Sequence, residues 1–208
     1  AGRVPLIGFA GAPWTLMSYM VEGQGSRAFT YAKRLLVQDP ARAHALLSRL
    51  ARAVGGFLAA QVAAGAQAVQ LFDSWAGALG PHDFREFALP YLAEAARIAR
   101  EAGAPVIAFA PGAGWAVEEI AAATGADVIG VDWQTDAAGA RHSVALQGNL
   151  DPSWLYAAPA LIRERTHRML EAFGGRGHIA NLGHGIHPDV SPEHARAFVD
   201  AVKEWRAP

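Results

Sequence analysis

The chain has 208 residues, of which 52% are hydrophobic and 18% are charged, and its formal net charge is -1. This composition is typical of a soluble globular protein, so we expect a single domain over residues 1–208. The balanced charge argues against a general nucleic-acid-binding protein. No apolar run is long enough to span a membrane. The absence of cysteine excludes disulfides and thiolate metal sites, and it suits a cytoplasmic protein.

Six apolar runs with the character of buried strands alternate with helical segments along the chain. We predict these strands at residues 4–9, 68–72, 105–109, 128–131, 144–147 and 178–182. Alternating strands and helices with short connections predict a parallel sheet covered by helices. From the residues alone, an open doubly wound sheet and a (β/α)8 barrel both fit, and six strands slightly favour the open sheet.

Several helices carry recognisable signals at their ends or in their interior. Asp39-Pro40 and Ser191-Pro192 are each typical of a helix start. A helical segment over 81–102 is predicted to kink at Pro90, and a short helix is predicted around 136–142. Seven apolar residues after Asp39 recur every three or four positions and predict one core-facing stripe: Leu46, Leu47, Leu50, Val54, Phe57, Leu58 and Val62.

His184 follows the last predicted strand and lies between Gly183 and Gly185. The two glycines allow a sharp turn and expose backbone N–H groups that can hold an anion. The carboxyl ends of parallel strands are where α/β folds keep their chemistry. The alternative is a glycine-rich turn with an incidental surface histidine. A metal pair with His187 is disfavoured because Pro188 and the intervening glycine prevent a helical arrangement.

Other polar residues also follow predicted strands, and each has an alternative explanation. Tyr19 is either a site residue or a packing residue with a hydrated hydroxyl group. Ser74 is either a ligand-binding group or a helix cap, and Asp73 is either a base or a backbone cap. Phenylalanines end three successive strands, and they form either the core or an apolar floor for a ring-sized ligand: Phe9, Phe72 and Phe109.

Five stretches, in order along the chain, resemble the uroporphyrinogen decarboxylase family. They are GFAGAPWTLMSYMVEG at 8–23, QLFDSWAG at 70–77, FALPY at 87–91, LQGNLDP at 146–152 and NLGHG at 181–185. The resemblance implies an α/β fold of the (β/α)8 TIM-barrel type, to which this chain supplies about six βα units, strands three to eight. It also implies a homodimer and the cofactor-free removal of four acetate carboxyl groups from uroporphyrinogen, a tetrapyrrole, to give coproporphyrinogen.

The resemblance also implies roles for individual residues. Tyr19 and His184 are similar to the family's catalytic residues, and with Ser74 they are expected to bind substrate, without a metal. The phenylalanines are expected to form the wall of the substrate cleft: Phe9, Phe72 and Phe109. No role is assigned to Asp73, which stands where relatives carry glutamate in some cases.

The chain departs from the family pattern in one respect. The family's key arginines and its pyrrole-binding aspartate lie on loops after the first two barrel strands, and nothing here matches those motifs. We therefore expect the chain alone to be inactive. The alternative is a non-catalytic tetrapyrrole-binding or interaction module. Related zinc-dependent methyltransferases use thiolate ligands, which this cysteine-free chain lacks.

Overall fold

A computed structural model describes residues 4–26, 28–136, 143–175 and 177–206. The chain folds as two compact units, Ala1–Ile129 and Gly130–Pro208. The expectation of a single domain over the whole chain stays a prediction. The short helix expected around 136–142 lies outside the described residues, apart from Asp136. No helix in these described ranges is both long and apolar enough to cross a membrane.

The first unit is built on parallel strands that pair in chain order. β1 (Ile7–Gly11) pairs with β2 (Ala68–Phe72), which pairs with β3 (Val106–Phe109). The register places Gly11 opposite Phe72 and Phe72 opposite Phe109. β4 (Val128–Gly130) follows, and Asp127 N donates a hydrogen bond to Val106 O at 2.9 Å. The parallel α/β arrangement predicted from the alternation of elements is therefore confirmed within this unit.

Six α-helices are described in the first unit: α1 (Pro13–Glu22), α2 (Thr30–Gln38), α3 (Pro40–Ala63), α4 (Pro81–Asp83), α5 (Leu89–Glu101) and α6 (Val117–Thr124). Short 3-10 turns cover Ala76–Ala78 and Gly114–Ala116. The predicted break at Pro90 takes the form of a π-helical turn over Phe84–Ala88, directly before α5. Proline lacks the N–H that would continue the α-helical hydrogen bonding, so an irregular turn ahead of it is expected.

α3 begins as predicted, and its buried stripe contains three of the residues expected there: Leu47, Val54 and Leu58. The Asp39 side chain accepts a hydrogen bond from Arg42 N at 3.0 Å, which caps the helix. Phe57 was expected in the buried stripe, and this expectation is wrong because Phe57 is 59% exposed. Small residues complete the stripe, and its buried members are Ala43, Leu47, Ala51, Val54, Gly55 and Leu58. At about 100° per residue, Phe57 lies roughly a quarter turn from the centre of that stripe.

The second unit contains a parallel strand pair and two α-helices. β5 (Ala145–Leu150) pairs with β6 (His178–Leu182), with Leu150 opposite Leu182, and Val131 N donates to Gln147 O at 2.8 Å. A 3-10 turn covers Pro152–Tyr156, and the helices are α7 (Pro159–Phe173) and α8 (Pro192–Glu204). The buried core of this unit consists of Leu150, Leu155, Ile162, Met169, Leu170, Val190, Ala197 and Phe198.

Ser191 caps α8 as the sequence predicts. Its hydroxyl oxygen accepts a hydrogen bond from Glu193 N at 3.2 Å, and Pro192 takes the first helical position. The helix packs against the core of the second unit through Ala197, Phe198 and Ala201. The segment that carries His184 therefore runs between two well-defined elements, β6 and α8.

Candidate functional site

Three phenylalanine rings form a continuous row across β1, β2 and β3. Phe72 and Phe109 end their strands, but the expectation that Phe9 also ends one is wrong, because β1 continues two residues beyond it to Gly11. The rings of Phe9 and Phe72 meet edge to face, with centroids 5.8 Å apart and an interplanar angle of 85°. Phe72 and Phe109 repeat this geometry at 6.0 Å and 90°. Phe9 is 63% exposed, and the other two rings are half-buried. The structure therefore brings the three predicted residues together as one partly open apolar surface.

Gln61 of α3 holds Phe9 at the outer edge of β1. Its Oε1 accepts a hydrogen bond from Phe9 N, and its Nε2 donates one to Phe9 O, both at 2.9 Å. On the side of β1 that faces away from β2, no described strand pairs with Phe9. The Gln61 side chain therefore satisfies both backbone groups of Phe9 there. The sequence pattern did not single out Gln61 because it reads as an ordinary polar residue on a helix surface.

Tyr19 is held at the surface by contacts between aromatic side chains. Its ring meets the ring of Trp75 edge to face, with centroids 6.1 Å apart and an angle of 84°. Trp75 in turn lies on Phe29, 4.7 Å away, and Phe29 is fully buried. Tyr19 remains 42% exposed, so its ring is supported from one side while part of the side chain faces solvent.

Phe29 has an unusual backbone conformation for a bulky residue. Its φ is 49° and its ψ is 47°, in the left-handed region, at the position that precedes α2. The Ser26 hydroxyl group accepts a hydrogen bond from Phe29 N at 3.0 Å. Non-glycine residues in this region cost about 1–2 kcal/mol, and such strain is common at functional sites. No signal in the sequence predicts this conformation.

The segment after β2 carries Asp73 and Ser74, and hydrogen bonds fasten it to α1. Thr15 Oγ1 donates to Asp73 Oδ1 at 2.9 Å and accepts from Trp75 N at 3.3 Å. Trp14 Nε1 donates to Trp75 O at 2.9 Å. Ser74 is exposed while its neighbour Asp73 is fully buried. The structure thus brings Tyr19 and Ser74 onto two segments that are directly bonded to each other.

Asp73 is the most strongly perturbed acid of this site. Burial raises the pKa of its carboxyl group from the usual 3.8 to about 7, and hydrogen bonds from Thr15 offset part of that effect. The Oδ2 atom is buried without a hydrogen-bond partner among the described residues. Asp73 is a fully buried group that links the segment after β2 to the first turn of α1 through Thr15.

In the second unit, His184 lies on the segment that follows β6. The imidazole is exposed and meets the ring of Trp133 edge to face, with centroids 5.8 Å apart and an angle of 86°. Gly183 N donates to Leu150 O at 2.7 Å, which extends the strand pairing as far as the residue before the histidine. His187 has other neighbours: its ring stacks on Tyr156 at 5.8 Å. The two histidines are therefore held by different aromatic residues.

The loop that carries Trp133 is itself held by side chains at two strand ends. Asn149 Nδ2 donates to Asp132 O at 2.9 Å and to Thr135 O at 2.8 Å. Asp132 Oδ1 accepts from Thr135 Oγ1 at 2.7 Å and from Gln134 N at 3.1 Å. These bonds fix the loop whose Trp133 ring contacts the ring of His184.

The comparisons with known proteins agree with one another. The model of the family described as uroporphyrinogen decarboxylase (URO-D) matches residues 1–205. The uroporphyrinogen decarboxylase of Aeromonas salmonicida is 52% identical over 99% of this chain and 60% of its own length. That of Escherichia coli O7:K1 is 51% identical over 100% of this chain and 61% of its own length.

A solved methyltransferase from Methanosarcina mazei shares the fold, with a TM-score of 0.78 and 21% identity over 98% of this chain and 60% of that one. The predicted fold class, an α/β barrel to which this chain supplies strands β1 to β6, is confirmed by this likeness and the family match. The chain spans about 60% of the length of the curated relatives that it matches. It belongs to the uroporphyrinogen decarboxylase family.

Proposed function

We propose that this chain forms the larger part of a uroporphyrinogen decarboxylase, a carboxy-lyase of porphyrin biosynthesis that converts uroporphyrinogen to coproporphyrinogen. The observation that carries the proposal is the family match over residues 1–205, supported by curated decarboxylases that are about half identical along the whole chain. The aromatic row and the supported tyrosine of the first unit suit a large, ring-shaped ligand that carries acidic groups.

The reaction breaks one C–C bond at each acetate side chain. A proton on the pyrrole turns that ring into an electron sink, and the electron pair of the breaking bond flows into it as CO2 leaves. A second proton then reaches the methylene carbon as the pyrrole gives up its own, so each acetate becomes a methyl group with the net uptake of one proton. The positive charge that develops on the pyrrole needs a nearby carboxylate, and none of the site residues proposed for this chain supplies it.

We assign the substrate's macrocycle to the phenylalanine row, and we assign hydrogen bonds to its carboxylates to Tyr19 and Ser74. Phe9, Phe72 and Phe109 offer an apolar surface against which the ring system can be desolvated. Tyr19 and Ser74 reach solvent and can donate hydrogen bonds to carboxylates.

For His184 the proposal rests on its exposed imidazole and on the motif that carries it. An imidazole N–H group donates hydrogen bonds to carboxylates, and a hydrogen bond to a charged acceptor is about twice as strong as a neutral one. The Trp133 ring fixes one side of the imidazole and leaves the remainder exposed. As the family resemblance implies, we propose a catalytic role for Tyr19, a catalytic role for His184 and a substrate-binding role for Ser74.

The test uses the chain extended by the preceding segment of the Aeromonas relative, assayed for conversion of uroporphyrinogen to coproporphyrinogen. Tyr19→Phe and His184→Gln are each expected to lower kcat/KM by about tenfold or more, because each removes a hydrogen bond to a charged group. Tyr31→Phe and His187→Gln are matched controls, because both side chains are exposed and neither belongs to the proposed site. Equal effects of the site and control substitutions would contradict the assignment.

We also propose a cytoplasmic homodimer that needs no cofactor, as the family resemblance implies. Light scattering of the purified extended chain should give the mass of two chains. Activity should persist after dialysis against a chelator. A monomeric mass or a loss of activity restored by a metal ion would contradict the corresponding part of the proposal.

A further inference from the structure

The side chains of Thr15 and Asp73 join the two segments that carry the proposed substrate-binding residues of the first unit. Thr15 Oγ1 donates to Asp73 Oδ1 at 2.9 Å, and the two residues are 3% and 0% exposed. Thr15 lies one helical turn before Tyr19 on α1, and Asp73 directly precedes Ser74. A change in this one contact would therefore alter the placement of both Tyr19 and Ser74.

The aromatic contact between Trp75 and Tyr19 depends on how the segment after β2 lies relative to α1. Thr15 Oγ1 also accepts a hydrogen bond from Trp75 N at 3.3 Å, so the hydroxyl group of Thr15 fixes the backbone of Trp75 as well. The Trp75 ring meets the Tyr19 ring edge to face at 6.1 Å. Movement of the segment after β2 relative to α1 would change this ring contact.

Two polar atoms beside the contact have no hydrogen-bond partner among the described residues. They are Asp73 Oδ2 and Ser18 Oγ, and both are buried. Ser18 lies three residues after Thr15, on the same side of α1. Burial raises the pKa of Asp73 to about 7, and the protonated carboxyl group is a donor that the ionised group is not. Stability alone does not explain these groups, because an apolar pair of the same shape would avoid unpaired polar atoms.

We propose that the Thr15–Asp73 pair is a positioning device that fixes Tyr19 relative to Ser74, so that both hydroxyl groups engage carboxylates of one substrate. The identity of that substrate rests on the proposed function. Both members of the pair are buried, so we place neither of them in contact with the substrate. They are positioning residues that act through Trp75 and through α1.

Four substitutions separate this role from simple packing. Thr15→Val removes the hydroxyl group at nearly constant shape, whereas Thr15→Ser keeps it. Asp73→Leu removes the acceptor, whereas Asp73→Asn keeps an acceptor for Thr15 and adds a donor in place of Oδ2. In the extended chain, we expect Thr15→Val and Asp73→Leu to lower kcat/KM for uroporphyrinogen by about tenfold. Thr15→Ser and Asp73→Asn should stay within about threefold of the unsubstituted chain.

A second readout does not depend on activity. In the 208-residue chain, the nuclear Overhauser effect between the rings of Tyr19 and Trp75 measures their contact, with Tyr19→Phe and Trp75→Phe to assign the signals. We expect the contact in the unsubstituted chain, in Thr15→Ser and in Asp73→Asn, and its loss in Thr15→Val. If the extended chain converts no uroporphyrinogen, the proposed function fails, and the ring contact alone still decides the positioning role.

A folded Thr15→Val variant that keeps both the ring contact and the original kcat/KM would overturn the inference. If Thr15→Val does not fold, the ring contact is measured in Thr15→Ser and Asp73→Asn, which keep the hydrogen bond between residues 15 and 73. Retention of the ring contact in both variants would support the inference. Loss of the contact in either variant, while the chain stays folded, would overturn it.

Discussion

The Gly183→Ala substitution is expected to destabilise the second unit and to displace His184. Gly183 is buried directly after β6. A Cβ atom there would overlap Trp133 N and would lie 2.9 Å from Asp132 C and from Trp133 Cα. These are backbone atoms, which no side-chain rotation can move away. The segment before His184 would therefore have to shift from the loop on which its ring rests.

The magnitude follows from the cost of forcing extra atoms into a packed site. Overpacking of this kind costs about 1–3 kcal/mol. Urea unfolding, followed by circular dichroism, should show this loss as a lower midpoint with an unchanged slope. In the extended chain, the displaced histidine should also lower kcat/KM for uroporphyrinogen.

Gly185→Ala is the matched control, because no atom lies within 4 Å of a Cβ atom built at Gly185. Its stability should stay within about 0.5 kcal/mol of the unsubstituted chain. Equal unfolding midpoints for the two variants would refute the argument that Gly183 is required by the backbone of Asp132 and Trp133.

Four further substitutions test other parts of the structure. In α3, Gly55→Ala should destabilise the chain by about 1–3 kcal/mol because its Cβ would lie 2.6 Å from Ile98 Cβ. Gly56→Ala should stabilise the chain by up to about 1 kcal/mol, because a Cβ atom at Gly56 would lie in open space. Urea midpoints that shift in the same direction in both variants would contradict this contrast. Because burial raises the Asp73 pKa to about 7 in the folded chain, the stability that this group contributes is present at low pH and is lost as the pH rises from about 4 to about 7. Relative to the original chain, the free energy of unfolding of Asp73→Asn should therefore rise by up to about 3 kcal/mol between pH 5 and pH 8, at about 1.4 kcal/mol per pKa unit. Parallel profiles of stability against pH for the two chains would argue against the raised pKa. Asn149→Ala removes two hydrogen bonds to backbone oxygens and should lower the free energy of unfolding by about 1–2 kcal/mol, whereas an unchanged urea midpoint would mean that those bonds do not hold the loop.

The elements of this fold could be predicted because their signals are local. Asp39 and Ser191 cap helices through hydrogen bonds to residues two or three positions later, so a few letters of sequence contain the whole interaction. Pro90 breaks a helix for an equally local reason. Phe57 was misplaced because the position of a buried stripe depends on what packs against the helix, and here the neighbouring helix favours small residues such as Gly55.

The candidate site was predictable only in part. Tyr19, Ser74 and His184 lie in motifs that follow strands, so sequence reasoning could propose them, and their roles stay predictions. Gln61 and Thr15 act across 52 and 58 residues of sequence, through hydrogen bonds to Phe9 and Asp73. Contacts of this separation leave no periodicity, spacing or motif in a single sequence, and only the folded chain reveals them.

The measurement that tests the account most directly is the conversion of uroporphyrinogen to coproporphyrinogen by two purified chains. One is the 208-residue chain alone, and the other is the same chain preceded by the corresponding segment of the Aeromonas relative. The account predicts conversion by the extended chain and none by the shorter one. A folded extended chain without activity would contradict the proposed function. Conversion by the shorter chain would show that it already holds a carboxylate able to stabilise the pyrrole cation.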